Sequence, residues 1–140
     1  NLREVNTHLD FDLDLAVEQS SQNPVYYVQY AYARICSILS EIDAPANGQV
    51  TFTEHDEIEL IRFMAGLPSE VDLAAREYDP SRITRYTIEL AGKFHKFYST
   101  CRIKGESESI VRSRLALCKA TKIVLENLLA LLKVSAPERM

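Results

Sequence analysis

The sequence predicts an all-helical bundle of about five to six helices, and three observations carry that expectation. From Asp79-Pro80 to Arg102 no turn cluster interrupts the chain, and apolar residues recur with the helical period of about 3.6. Asn23-Pro24 and Asp79-Pro80 each join a good N-cap residue to a proline suited to the first helical position. The polar–apolar alternation of His8–Leu15, which could suit a strand, is short and gives way to helix-tolerant Ala16-Val17-Glu18-Gln19. At 140 residues and 46% hydrophobic content, the chain is long enough for one domain with a substantial core.

Residues 1–22 read as an entry segment, with a helix starting near Asp12. The helix from Pro24 to Ile42 has Val28, Ala31, Ile35, Ile38, Leu39 and Ile42 as its buried stripe. The turn residues of Asp43–Gly48 predict a loop. Thr53 is expected to cap the next helix, with Asp56 three residues on. Ile58, Ile61, Phe63, Met64 and Leu67 form its apolar side, and Gly66 and Pro68 are expected to end it. Its acidic first turn, Glu54, Asp56 and Glu57, suits the positive end of the helix dipole and is not read as a metal site. His55 there reads as solvated. Ser69 is expected to cap a short helix through Val71, Leu73, Ala74 and Tyr78.

The helix after Asp79-Pro80 carries Ile83, Leu90, Phe94 and Cys101 along one line, with Tyr86 and Phe97 beside them. Gly105 breaks the chain, and Ser107 starts a last helix running to Leu132. Val111, Leu115, Leu117, Cys118, Val124, Leu125, Leu128, Leu129 and Leu132 span so wide an arc that this helix is expected to sit centrally.

The net charge of −4 conceals a strong asymmetry. Residues 1–80 hold four Arg, no Lys and fifteen acidic residues, whereas residues 81–140 hold twelve basic residues and five Glu. Either a polyanion approaches the C-terminal part, or the two parts neutralise each other across the fold. The three cysteines, at 36, 101 and 118, lack metal-ligand spacing and read as buried thiols of a reducing compartment. No apolar run is long enough to span a membrane and no signal-peptide pattern begins the chain. A start at Asn1 fits a processed chain or a piece of a longer one.

Enzyme chemistry is not visible. The chain lacks a glycine-rich phosphate loop, HExxH, CxxC and a serine elbow. Asp10, Asp12 and Asp14 resemble the start of a calcium loop, but its glycine and distal glutamate are missing. His95 has no carboxylate at helical spacing and reads as a surface or polar-edge histidine. Tyr27, Tyr30 and Arg34, by contrast, lie almost opposite the buried stripe of their helix. Aromatic faces stack on bases and guanidinium groups hold phosphates, which points to nucleic acid. The competing reading packs Tyr27 on a neighbouring helix and pairs Arg34 with Glu41 or Glu18.

Several longer stretches carry a resemblance. Thr7–Ala16 and then Asn23-Pro24-Val25-Tyr26-Tyr27-Val28-Gln29-Tyr30-Ala31 resemble the segment that leaves the catalytic domain of arginyl-tRNA synthetases. Phe94-His95-Lys96-Phe97-Tyr98 and Ser135-Ala136-Pro137-Glu138-Arg139-Met140 resemble the anticodon-binding domain that ends them. The resemblance implies a helical bundle of the DALR anticodon-binding type, with residues 1–22 as junction and 23–140 as bundle. It implies a parent class I aminoacyl-tRNA synthetase that uses ATP with Mg, arginine and its tRNA, through a catalytic domain absent from this sequence. The fragment alone is then expected to be inactive, to need no cofactor or metal, and to bind the tRNA(Arg) anticodon loop. The parent is expected to be a cytoplasmic monomer.

The resemblance carries over onto Tyr27, Arg34, Tyr98 and Met140 as anticodon-binding residues. Tyr98 lies about 60° from the centre of its stripe, an edge position that leaves part of the ring free. Arg82, Lys93 and Arg102 are candidate contacts to the tRNA backbone, while Arg85 and Lys96 are expected to pair with acidic residues. Tyr32 stands where the family usually has histidine, which implies a packing change. Lys133 stands where glycine often precedes the tail, which implies a longer helix or a strained cap. Two alternatives remain at this point: the DALR domain of a cysteinyl or glycyl enzyme, and a helical protein-interaction module.

Overall fold

The structure is a computed structural model that describes residues 12–20, 22–43 and 48–140. The junction motif at 7–11 and the turn residues 44–47 lie outside the described residues. The described chain forms six helices: α1 (Leu13–Val17), α2 (Pro24–Glu41), α3 (His55–Ala65), α4 (Leu67–Arg76), α5 (Ser81–Thr100) and α6 (Glu108–Leu131).

Two starts follow the expected chemistry. The Asn23 side chain accepts from the backbone N–H of Val25 at 3.0 Å, and Pro24 opens α2. Asp79 accepts from the Ser81 N–H at 3.0 Å and from its hydroxyl, ahead of α5. Two other starts differ. Glu54, rather than Thr53, occupies the N-cap of α3. Glu57 reaches back to accept from the N–H groups of Glu54 and Thr53, at 3.1 and 3.0 Å. Helix α4 begins at Leu67 rather than after Ser69, because Gly66 stays in the right-handed helical region. Pro68 then falls in the first turn, where a missing N–H costs nothing.

Tyr78 does not belong to the apolar side of α4. It is 88% exposed and turns the chain at φ 53°. The Asp79 and Tyr78 N–H groups close back on the Ala74 and Ala75 carbonyls, a Schellman ending built without glycine. The same motif ends α6. Lys133 has φ 59° and donates to the Ala130 carbonyl, while Val134 donates to that of Leu129. Of the two expectations for Lys133, the strained cap is the one observed.

Helix α5 packs against α2, α3, α4 and α6 and therefore holds the centre, the place expected for α6 from its wide apolar arc. Ile83, Tyr86, Leu90, Phe94, Phe97 and Cys101 are all buried, and Phe94 and Phe97 completely so. Tyr32 is also buried, in keeping with a packing role. The interior hydroxyls of Thr87 and Thr121 donate to carbonyls one turn back, those of Ile83 and Leu117. The cysteines are unbridged, and burial pushes the Cys118 thiol up to about 12.

One ionic pair lies inside the bundle. Arg114 Nε donates to Glu57 Oε1 at 2.7 Å, with both residues buried. The second Glu57 oxygen takes the two N–H groups at the start of α3, and Arg114 Nη1 donates to the Arg102 carbonyl. Both Glu57 oxygens and the Nε and Nη1 of Arg114 thus have partners, which is the condition for tolerating buried charge. Replacing Arg114 by Met should destabilise the fold by about 3–5 kcal/mol, because the Glu57 charge is left uncompensated. Adding Glu57→Leu should recover part of that loss, as read from urea denaturation midpoints.

A more exposed ion pair gives a pH signature. Hydrogen bonds from Lys96 and Thr100 hold the Asp56 carboxyl at about 2, below its ordinary value of 3.8. A depressed carboxyl contributes stability that is present above its unfolded pKa and lost as pH falls through its folded value. Stability should therefore decline between about pH 4 and 2, and less steeply in Asp56→Asn. Thermal melts across that range measure the difference.

Candidate nucleic-acid interface

Helices α2 and α5 lie against each other, and their shared edge carries a run of rings. Tyr26 stacks on Tyr30 at a centroid distance of 6.4 Å, and Tyr30 stacks on His95 at 5.9 Å. Tyr27 also meets His95, at 4.8 Å with the ring planes tilted by 49°. Below these, Phe94 contacts His95 and stacks on Tyr98 at 6.2 Å, with the ring planes 20° apart. The i, i+4 spacing of 26/30 on α2 and 94/98 on α5 builds the run from two single helix edges.

Arg34 closes it. Its Nη2 donates to the Tyr98 hydroxyl at 2.8 Å, and its guanidinium carbon lies 4.9 Å from the Tyr98 ring centroid. Tyr98 is thus supported by the buried Phe94 while Arg34 holds its hydroxyl. Neither Glu41 nor Glu18 pairs with Arg34; its partner is Tyr98. Tyr27 does pack on the neighbouring helix, and burial raises its phenol pKa. Met140, 53% exposed at the chain end, makes none of the ring or hydrogen-bond contacts of this run.

Charge pairing sorts the cations. Arg82 donates to Glu70 and Glu77 at 3.3 and 3.2 Å and is engaged inside the protein. Lys93 lies 3.8 Å from Glu89 and over the Phe63 ring. Arg85 and Lys96 pair with Asp79 and Asp56, as expected. Arg82, Arg85, Lys96 and Arg114 are thus paired with acidic residues of the N-terminal part, so the second reading of the asymmetry accounts for part of the basic charge. Arg34, Arg102 and Lys104 form no ion pair with a carboxylate, as is also true of Lys119, Lys133 and Arg139 among the described residues. Arg102 donates through Nε to the Lys104 carbonyl at 3.0 Å. A groove of about 430 Å³ opens beside Tyr98, with Ile38, Ile42 and Ile103 as apolar lining and Glu41, Arg102 and Lys104 also along it. Three cations without carboxylate partners, a partly exposed tyrosine and a half-apolar groove are thus contiguous.

A family model for the DALR anticodon binding domain matches residues 28–140. This chain belongs to that family. It is 45% identical over its whole length to the arginine–tRNA ligase of Ruminiclostridium cellulolyticum and 48% identical over 99% of its length to that of Symbiobacterium thermophilum. In each case it spans 26% of the relative. The arginyl-tRNA synthetase of Thermus thermophilus superposes with a TM-score of 0.86 at 27% identity, covering 99% of this chain and 25% of that one. The Plasmodium falciparum arginyl-tRNA synthetase shares the fold, with a TM-score of 0.87 at 24% identity over 99% of this chain and 25% of that one.

Within this DALR bundle, the role of His95 was not legible in the sequence. Its ring contacts Tyr27, Tyr30 and Phe94, and its Nε2 is buried without a hydrogen-bond partner. Burial lowers its pKa, because a charged imidazole would lose its hydration there. The His95 imidazole should accordingly titrate below the ordinary value of about 6.5 in a proton NMR titration. A midpoint at or above that value would contradict the buried, neutral ring.

Proposed function

We propose that this chain is the anticodon-recognition part of an arginine–tRNA ligase. In the full enzyme it holds the anticodon loop of tRNA(Arg) and so places the acceptor end for ATP-dependent arginylation. The observation that carries this reading is the Arg34–Tyr98–Phe94 stack beside carboxylate-free Arg102 and Lys104, within a DALR domain. Its near relatives bear the arginine–tRNA ligase name, which favours that enzyme over cysteinyl or glycyl counterparts and over a protein-interaction module.

Unstacked anticodon bases present π-faces and Watson–Crick edges. Tyr98 and Tyr27 supply flat faces, and Tyr98 is already held in one orientation, so little freedom is lost when a base stacks on it. Arg34 has further N–H groups for a base edge or phosphate beyond the one given to Tyr98. Arg102 is suited to the strand's phosphates, whereas Arg82 and Lys93 would first have to leave their carboxylates. Met140 offers a thioether as a further contact. ATP and its Mg belong to the catalytic domain. Among the described residues no group of three or more His, Cys, Asp or Glu is placed to hold a metal. None of their helices is long and apolar enough to cross a membrane. A cytoplasmic, monomeric parent accords with this reading.

Titration of an arginine anticodon stem-loop into the labelled chain tests it. Loss of stacking in Tyr98→Ala should weaken binding by about 10- to 100-fold. Arg102→Ala should reduce the slope of log affinity against log salt by about one. Tyr78→Ala, an exposed tyrosine away from α2, should change neither. Equal affinities for the unaltered chain and Tyr98→Ala would overturn the site, and absence of binding would favour the protein-interaction reading.

A further inference from the structure

We infer that Gln29 and Lys122 are positioning residues that hold the C-terminal tail along α2, so that the chain end is placed before any RNA arrives. This rests on the reading of the α2–α5 edge as an RNA interface, and it concerns residues outside that run of rings. The turn at Lys133 directs the tail out of α6 and back over the bundle, where Val134 and Ala136 pack partly buried on the core. Gln29 Nε2 then donates to both the carbonyl and the hydroxyl of Ser135, at 2.9 and 3.0 Å. Three residues on, Glu138 lies 3.3 Å from Lys122 Nζ. That ammonium in turn lies 5.5 Å from the ring centroid of Tyr32, one turn along α2 from Gln29. The tail is therefore fixed at two points beside one helix, and Pro137, with its restricted φ, sits between them.

Gln29 stands between Tyr27 and Tyr30 in the sequence, so the helix that presents the rings also carries the tail's anchor. An unanchored tail would have to be ordered on binding, and the lost freedom would subtract from affinity. Two hydrogen bonds from one amide, a lysine–glutamate pair and a proline settle that ordering during folding. The strained left-handed turn at Lys133 is retained because it starts the tail on this path.

The test has one arm independent of RNA and one that depends on it. In Gln29→Met, which keeps bulk but removes the donor, the {1H}-15N NOE of residues 136–140 should fall while the melting temperature stays nearly unchanged. Stem-loop binding should weaken by about tenfold. In a double-mutant cycle with deletion of residues 136–140, Gln29→Met should add no further loss, since it acts only through the tail. Lys122→Met should behave in the same way. An unchanged NOE in Gln29→Met, or losses that simply add in the cycle, would overturn the inference. If the unaltered chain binds no stem-loop, the functional reading fails, and the NOE comparison alone decides whether Gln29 holds the tail.

Discussion

The buried contact between Glu57 and Arg114 connects parts of the chain that are far apart in sequence. It ties the first turn of α3 to α6, and through the Arg102 carbonyl it ties both to the segment that leaves α5. A carboxylate with two backbone N–H groups on one oxygen and a guanidinium on the other cannot move without exposing charge to a low-dielectric interior. The consequence reaches the surface. Arg102 and Ile103 flank the groove beside Tyr98, and their backbone path is set by what Arg114 holds.

Around that anchor, the bundle pairs several of its basic side chains with its own carboxylates. The acidic first half meets the basic second half across α3, α4 and α5, as in Asp56–Lys96 and Glu70–Arg82. Of the cations left without a carboxylate, three lie together beside Tyr98. Arg34, Arg102 and Lys104 are a small fraction of the arginines and lysines, but they accompany a tyrosine that is stacked on the buried Phe94 and still partly exposed. A protein of net charge −4 can thereby present a restricted site to a polyanion without a general affinity for it.

Much of this was legible in the residues. Asn23-Pro24 and Asp79-Pro80 announce α2 and α5 because capping is a local interaction, decided within a few residues. The α5 stripe is correct for the same reason: helical period needs no partner to be visible. Glu57 shows the limit. At the start of a helix an acidic residue reads as a dipole partner, and only the distant Arg114 reveals it as half of a buried pair. His95 likewise lacks a sequence signal, since its partners Tyr27 and Tyr30 come from another helix.

The sequence by itself determined the helices and most of the buried face of each. Those properties depend on spacing along one chain. The tertiary structure decided which helix is central, which cations are consumed by carboxylates, and how the tail leaves Lys133 to meet Gln29. Each of these is a choice among partners far apart in sequence, and the choice follows from which groups can be desolvated together at least cost once the helices have packed.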